Sequence, residues 1–565
     1  MRFSRHLVTL TVLSLFGALP QGRTTALAAV APPGRTDGQL PGPTCDKEIE
    51  IDTRAAGSPF VHSWEKSFGS DRADMVLTEG YLRNADRARA ATGFGYVRFH
   101  GIFDDSMGIV IPDGTGGVRY NFRKIDAVYD SLLRHHLRPY VELSFMPSLL
   151  GSNPLRRNGG LEPLTKTGEN EPARPVTDFS KGTLWYRANV TPPARMAEWN
   201  ALIHAFVTHL ETRYGREEIR RWPFEVWNEP DQATWTGTPR MASYFALYDN
   251  TARTIKSVDP ALKVGGPATG AIHWVREFTD HVARAHVPAD FVSTHIYAND
   301  PPALLRLPSS PRNTGNTVCD ATRHAREIVD RSARPGLPLY ISEFGADWDI
   351  HNGSADRPWI APWLAETIRD CDGLAPLMSY WTFSDDFEEQ GIMENELPGA
   401  YGLLSTHGIP KPAFNAFALL HRLGTQRLKT PSNADILATR RRSGTLALAL
   451  WNRDNAREKT VALRLEGVSD TTQARIVILD RDHGTATARF DAMGRPDTPT
   501  EAQARALRSA ARLPSPRTAP ECRAADRCVV TLPPESLALL EIPAQGSRRN
   551  VSSPDATDHS RADHS

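Results

Sequence analysis

Net charge, cysteine and long apolar runs are all scarce in this 565-residue chain, and each shortage excludes something. The 66 Lys+Arg and 66 Asp+Glu cancel to a formal net charge of zero, so no whole-chain field draws in nucleic acid or an anionic membrane. The five cysteines, Cys45, Cys319, Cys371, Cys522 and Cys528, are too few for a disulfide scaffold, and no Cys-x-x-Cys pair or neighbouring His offers zinc spacing. No metal and no cofactor is expected, although Cys522 and Cys528 could close a small loop in an oxidising compartment. No tandem repeat points to a solenoid. With 40% apolar and 23% charged residues, the composition also excludes wholesale disorder and a polytopic membrane protein.

The apolar run that stands out is N-terminal. Arg2 and Arg5 precede Leu7–Leu19, and Ala26-Leu27-Ala28 puts small residues at cleavage spacing, the pattern of a secretory signal peptide over residues 1–28. At about 13 residues the run is well short of the roughly 20 that span a bilayer. We therefore expect no stable membrane insertion and a secreted or periplasmic mature protein. Residues 29–44 read as a Pro/Gly-rich linker, and residues 546–565, nearly devoid of apolar side chains, as a disordered tail.

From 60 to 423, short runs rich in β-formers alternate with amphipathic segments, the pattern of repeated strand–helix units and a parallel sheet. There are eight runs: Phe60–Phe68, Tyr96–Gly101, Arg138–Met146, Trp222–Asn228, Lys263–Pro267, Phe291–Tyr297, Leu337–Phe344 and Leu377–Ser384. The clearest helix is Ala194–Tyr214, where Met196, Trp199, Leu202, Ile203, Phe206, Val207, Leu210 and Tyr214 recur at three- and four-residue steps. Eight repeats predict an α/β fold, a (β/α)8 TIM barrel, inflated above the roughly 250 residues usual for it. The surplus concentrates in Pro147–Pro193, a loop (148–192) expected at the face where barrel active sites form. Beyond 424, Thr445–Trp451, Thr460–Leu465, Gln473–Leu479 and Cys528–Ile542 read as strands of a separate all-β, sandwich-like accessory domain spanning 424–545 that also takes a strand from 45–59.

Functional residues of a barrel belong at the C-terminal ends of strands. The fourth run ends in Phe224-Glu-Val-Trp-Asn-Glu-Pro230 and the seventh in Leu339-Tyr-Ile-Ser-Glu-Phe-Gly345, so Glu229 and Glu343 each stand at the tip of an apolar strand. One such carboxylate is unremarkable; two facing each other across a barrel mouth have a specific use. Cleaving an acetal needs a proton for the leaving oxygen and a negative group facing the oxocarbenium-like carbon, and two carboxyl groups suffice.

The chain resembles the family 39 glycoside hydrolases, which include β-xylosidases and α-L-iduronidases, and most resembles the β-xylosidase branch. The carriers are Tyr96-Val-Arg-Phe-His-Gly101, Leu143-Ser-Phe-Met-Pro147, Asn189-Val-Thr-Pro-Pro193, Phe224–Pro230, Phe291-Val-Ser-Thr-His-Ile-Tyr297, Ser379-Tyr-Trp-Thr-Phe-Ser-Asp-Asp-Phe-Glu-Glu389 and Gly408-Ile-Pro-Lys-Pro412. The resemblance implies a retaining exo-glycosidase with Glu229 as general acid/base and Glu343 as nucleophile. It implies that Asn228 holds the sugar 2-hydroxyl and that His100, His295, Tyr297, Trp381, Glu388 and Glu389 line the pocket. Without it, Asp385–Glu389 would read as a solvated acidic loop or a cation site.

The chain departs from the xylosidase pattern at Asp231, at Ser342-Glu-Phe-Gly345 around Glu343, and in the stretch 151–183. These changes touch the pocket rim and bear on the sugar more than on the reaction. A uronic acid would need a cationic partner, and we expect no Arg or Lys from the pocket motifs, which favours β-D-xyloside over α-L-arabinoside and iduronide. The competing class is a non-catalytic carbohydrate-binding protein, against which both glutamates argue. Arg440–Arg442 reads as a solvated turn, leaving an oligosaccharide or glycoside as the expected partner and no nucleic acid; a homo-oligomer stays open.

Overall fold

The computed structural model describes residues 47–152, 184–308, 315–350, 355–393, 395–522 and 526–544, with the strand pair 164–165 and 174–175. The expected leader, linker and tail, and most of the 148–192 loop, lie outside the described residues.

Eight parallel strands close into a barrel: β1 (Ser67–Arg72), β2 (Tyr96–His100), β3 (Arg138–Glu142), β4 (Pro223–Glu225), β5 (Lys263–Thr269), β6 (Phe291–Tyr297), β7 (Leu339–Gly345) and β8 (Leu377–Tyr380). The ring shuts where Ser379 of β8 registers with Ser67 of β1. One principal helix follows each strand: α1 (Glu79–Thr92), α2 (Arg123–Arg134), α3 (Met196–Tyr214), α4 (Arg240–Val258), α5 (Val275–Arg284), α6 (Thr317–Asp330), α7 (Ile360–Cys371) and α8 (Pro412–Leu420). Trp199, Leu202, Ile203, Phe206, Val207 and Leu210 form the buried face of α3. Their spacing made that helix legible.

Four strands differ clearly from the sequence reading, the third and eighth because they end at Glu142 and Tyr380 rather than at Met146 and Ser384. The first barrel strand is Ser67–Arg72 rather than Phe60–Phe68. Phe60 and Trp64 instead pack ring to ring, 5.3 Å apart, around a 3-10 turn over Ser63–Glu65. The strand was hard to see because Ser67-Phe-Gly-Ser-Asp-Arg72 has one large apolar side chain. The fourth strand stops at Glu225, and Val226–Asn228 continue as irregular backbone.

The C-terminal strands form two sheets. Lys47–Asp52, Lys459–Glu466 and Arg527–Leu532 make one. The other orders Ser58–Pro59, Gln426–Arg427, Ile436–Arg440, Leu446–Asn452, Ser536–Ile542, Arg475–Leu479 and Arg517–Thr518. Ile49, Ile51, Leu463 and Val530 of the first face Ile436, Leu448, Leu450 and Leu540 of the second in one buried cluster, as sheet-on-sheet packing requires. The run Cys528–Ile542 is therefore two strands in different sheets. The region is also not all-β, because it carries α9 (Thr487–Ala492) and α10 (Glu501–Ala510). α10 opens on a capping box between Thr500 and Gln503. Phe490, Leu507 and Ala511 pack against Leu397 and Ile409 of the segment after β8, which seats these helices on the barrel. Disulfides join Cys522 to Cys528 and Cys319 to Cys371, the latter linking α6 to α7. Among the described residues, no helix is long and apolar enough to cross a membrane.

Candidate active site

The barrel's C-terminal face is built around two glutamates and one arginine. After β4 the backbone turns sharply: Trp227 and Glu229 both adopt positive φ, 74° and 44°, a conformation costly for side chains of this size unless the surroundings enforce it. They do. The Glu229 amide donates to the Ala268 carbonyl at 2.8 Å, the Thr234 hydroxyl bonds the Asn228 and Glu229 carbonyls, and the Trp227 indole N–H donates to Thr234 O at 2.8 Å. The result aims the Glu229 carboxyl into the barrel mouth, where Oε1 lies 2.9 Å from Nδ1 of His295.

Glu343, near the end of β7, reaches the same space. Its Oε1 accepts from Arg98 Nη1 at 2.6 Å and its Oε2 from the Tyr297 hydroxyl at 3.0 Å. One carboxylate oxygen of Glu229, one of Glu343 and a ring nitrogen of His295 all lie within 4.8 Å of one another. Asn228, Glu229, Tyr297, Glu343, Trp381 and Glu389 share the lining of one cavity of about 390 Å³.

The residue that organises this arrangement is Arg98, which was quoted inside a motif but not singled out. It projects from β2 into the barrel, fully buried, and its guanidinium meets Glu225 at 2.7 Å, Glu343 at 2.6 Å, Glu142 at 2.8 Å and the Asn228 Oδ1 at 2.9 Å. Engaging Oδ1 leaves Asn228 its NH2 group to offer a ligand. The expectation of no Arg or Lys in the pocket motifs is corrected twice, since Lys411 also lies in one. Both cations are spoken for: Lys411 is buried against Asp356 at 2.9 Å and Asp385 at 2.5 Å.

The acidic run Asp385–Glu389 is thereby resolved residue by residue. Asp385 serves Lys411, and Asp386 accepts from Asn84 and Ser384. Glu388 turns to Arg72 at 2.5 Å and does not line the cavity. Glu389 does line it, with Oε2 buried and 3.7 Å from His100 Nε2. His100 stands behind the cavity wall, its Nδ1 2.7 Å from Glu142. His295 is likewise absent from the lining and acts on it through Glu229. Trp381 lines the cavity while its ring packs over Gly69 of β1, where an added Cβ would fall 2.0 Å from Cε3. A rigid ring cannot yield that much. Gly69→Ala should therefore displace Trp381 and lower stability by about 1–3 kcal/mol, measurable by urea unfolding, with a parallel loss of sugar affinity.

The electrostatics separate the two glutamates. Burial, reinforced by the Asp231 and Glu389 charges, pushes the Glu229 carboxyl up to about 8. Burial also raises Glu343, but His295 and the Arg98 guanidinium oppose it, and the donors on both of its oxygens favour the ionised form. Burial drives His295 below the ordinary imidazole value, against the pull of the Glu343 charge. Burial alone would lower His100, yet Glu142 and Glu389 carry it well above the ordinary imidazole value. The trio Glu229, His295 and Glu343 has donor types that a divalent cation accepts. The Arg98 guanidinium against Glu343 already supplies positive charge there, which disfavours a second cation. Another such trio among the described residues, His62, Glu65 and His421, lies outside the cavity lining.

A sequence profile of the glycosyl hydrolases of family 39 matches residues 47–157 and 172–525. The chain belongs to that family. It is 32% identical over 467 residues to a β-xylosidase of Geobacillus stearothermophilus, covering 80% of this chain and 86% of that one. A β-xylosidase of Caldicellulosiruptor saccharolyticus is 37% identical over 376 residues, covering 65% and 70%. The solved family 39 β-xylosidase of Caulobacter crescentus superposes with a TM-score of 0.72 at 31% identity, covering 88% of this chain and all of that one. This family 39 chain is accordingly a glycosidase that acts on sugar substrates.

Proposed function

We propose that this family 39 enzyme is a retaining exo-β-xylosidase. The observation that carries the reading is the approach of the Glu229 and Glu343 carboxylates to within 4.8 Å over one cavity. Retaining glycosidases hold their carboxyl groups about 5–5.5 Å apart, close enough for direct attack, whereas inverting ones leave room for a water at roughly 6.5–9.5 Å. In this mechanism ionised Glu343 attacks the anomeric carbon while protonated Glu229 delivers its proton to the departing oxygen. A glycosyl ester on Glu343 results. Glu229, now a carboxylate, takes a proton from water, which attacks the same carbon and frees Glu343. Arg98 and Tyr297 hold Glu343 ionised and aimed, and the Asn228 amide meets the sugar 2-hydroxyl. Trp381 supplies an apolar face to the ring.

A terminal pentose suits a cavity at the small end of the range for ligand sites. No Lys or Arg is among its described lining residues, whereas Asp300 and Glu389 are, so a uronate carboxylate would meet like charge. The β-xylosidase names of the relatives similar over most of this chain support the same sugar. An α-L-arabinoside presents a similar equatorial bond and is the expected secondary substrate. The leader-like N-terminus and the two disulfides support a secreted or periplasmic enzyme.

The test is hydrolysis of aryl β-xyloside, α-L-arabinoside and α-L-iduronide, with the first-formed anomer read by NMR. β-Xylose should appear first; initial α-xylose would exclude retention, and preference for the iduronide would exclude the sugar assignment. The pH profile gives a second check. Glu229 must be protonated to act as acid, so kcat/KM should fall as pH rises through about 8. Asp231→Asn removes a neighbouring negative charge, and its alkaline limb should move to lower pH. A limb that stays put would dissociate Glu229 from that ionisation.

A further inference from the structure

A second cavity, of about 520 Å³, opens where α1, α8 and α10 converge, and four arginines line it. Arg87 comes from α1, Arg505 and Arg508 from α10, and Arg512 from the residues just after it. None of the described lining residues is acidic. The carboxylate that reaches the group is Glu501, itself 62% exposed, at 2.6 Å from Arg508 and 3.4 Å from Arg505. Among the described residues, no ion pair or side-chain hydrogen bond engages Arg512. Burial and the Arg508 and Arg512 charges together press the Arg87 guanidinium below its ordinary value. Repulsion of this kind inside a concave site is relieved by an anion. Fixed guanidinium forks suit carboxylate and phosphate oxygens equally well, so charge alone does not choose between them. Size and floor do. The volume exceeds that of a phosphate several-fold, and Phe414 and Leu513 provide an apolar base, with Arg87 stacked 5.8 Å above the Phe414 ring.

We propose that this cavity is an accessory binding site for a uronate-bearing oligosaccharide, distinct from the catalytic cavity because none of their lining residues coincide. The choice of occupant rests on the glycan-cleaving reading above: the catalytic cavity repels a uronate, and this one would hold the acidic branch of a chain whose neutral end is cleaved elsewhere.

Titration calorimetry at low salt on the full chain carrying Glu343→Gln, so that no ligand is consumed, provides the test. The probes are a xylo-oligosaccharide with one uronate branch, its unbranched counterpart and inorganic phosphate. The branched probe should show a binding event that saturating xylose does not compete away. Arg505→Gln combined with Arg512→Gln should weaken that event at least tenfold. Both side chains are exposed, so the variant should fold, and in a Glu343 background its turnover of an aryl xyloside should be unchanged. Undiminished binding in the double variant would overturn the proposal. So would equal affinity for the unbranched probe, or phosphate binding as tightly as the branched one, which would make this an inorganic-anion site. Aryl xyloside turnover is read independently, so failure here and failure of the xylosidase reading are separable.

Discussion

Glu343→Gln is expected to lower kcat for an aryl β-xyloside at least roughly a thousandfold, about 4 kcal/mol of barrier. The amide keeps the shape of the carboxylate and one acceptor oxygen, so it can still be held by Tyr297 or Arg98. It cannot form the glycosyl ester, however, and offers no charge to the oxocarbenium-like transition state. Binding of xylose should survive, which separates loss of chemistry from loss of fold. Glu229→Ala should behave differently. An activated phenol needs little protonation to leave, so the first step should persist, while breakdown of the ester slows by about a hundredfold or more for want of a base. A burst of phenol followed by slow turnover, with azide restoring rate and giving the β-glycosyl azide, is the expected signature. Near-normal steady-state turnover in either variant would remove that residue from the mechanism.

Arg98→Met should be the most damaging substitution for the fold. It removes the shared cation from the Glu142, Glu225 and Glu343 carboxylates, all within 2.8 Å of the guanidinium and buried in the barrel interior. Removing one partner of a buried ion pair costs about 3–5 kcal/mol, since the remaining charge keeps its desolvation penalty. The sign with pH follows. Burial already raises the Glu343 carboxyl against the opposing Arg98 charge, so without Arg98 it is raised further, and the deficit is greatest at alkaline pH and shrinks as pH falls and it takes up a proton. Urea unfolding of Arg98→Met against the parent at pH 5 and pH 8 should show the larger gap at pH 8. Equal stability of the two proteins at pH 8 would overturn the role assigned to Arg98. Arg98→Lys keeps one charge but not the fork that spans four acceptors. It should recover part of the stability while kcat stays depressed.

The amino-acid sequence by itself determined the order of eight strand–helix units and picked out Glu229, just beyond the fourth strand, and Glu343, near the end of the seventh, because both rest on signals local to the chain. Apolar spacing of three and four along Trp199–Leu210, and carboxylates at the ends of short apolar runs, need no partner to be recognised. Strands with few apolar residues escaped it: Ser67–Arg72 carries one large apolar side chain, Phe68, so it has no run or alternation of apolar residues to read. Only the tertiary structure decided how the charges pair. Arg98 meets residues 44 to 245 positions away, Glu388 turns from the cavity to Arg72 while its neighbour Glu389 faces it, and Lys411 absorbs Asp385. The reason is geometric. A closed barrel points side chains from all eight strands at one axis, so which oppositely charged groups meet depends on strand tilt and register around the ring, and neither is encoded within any single segment.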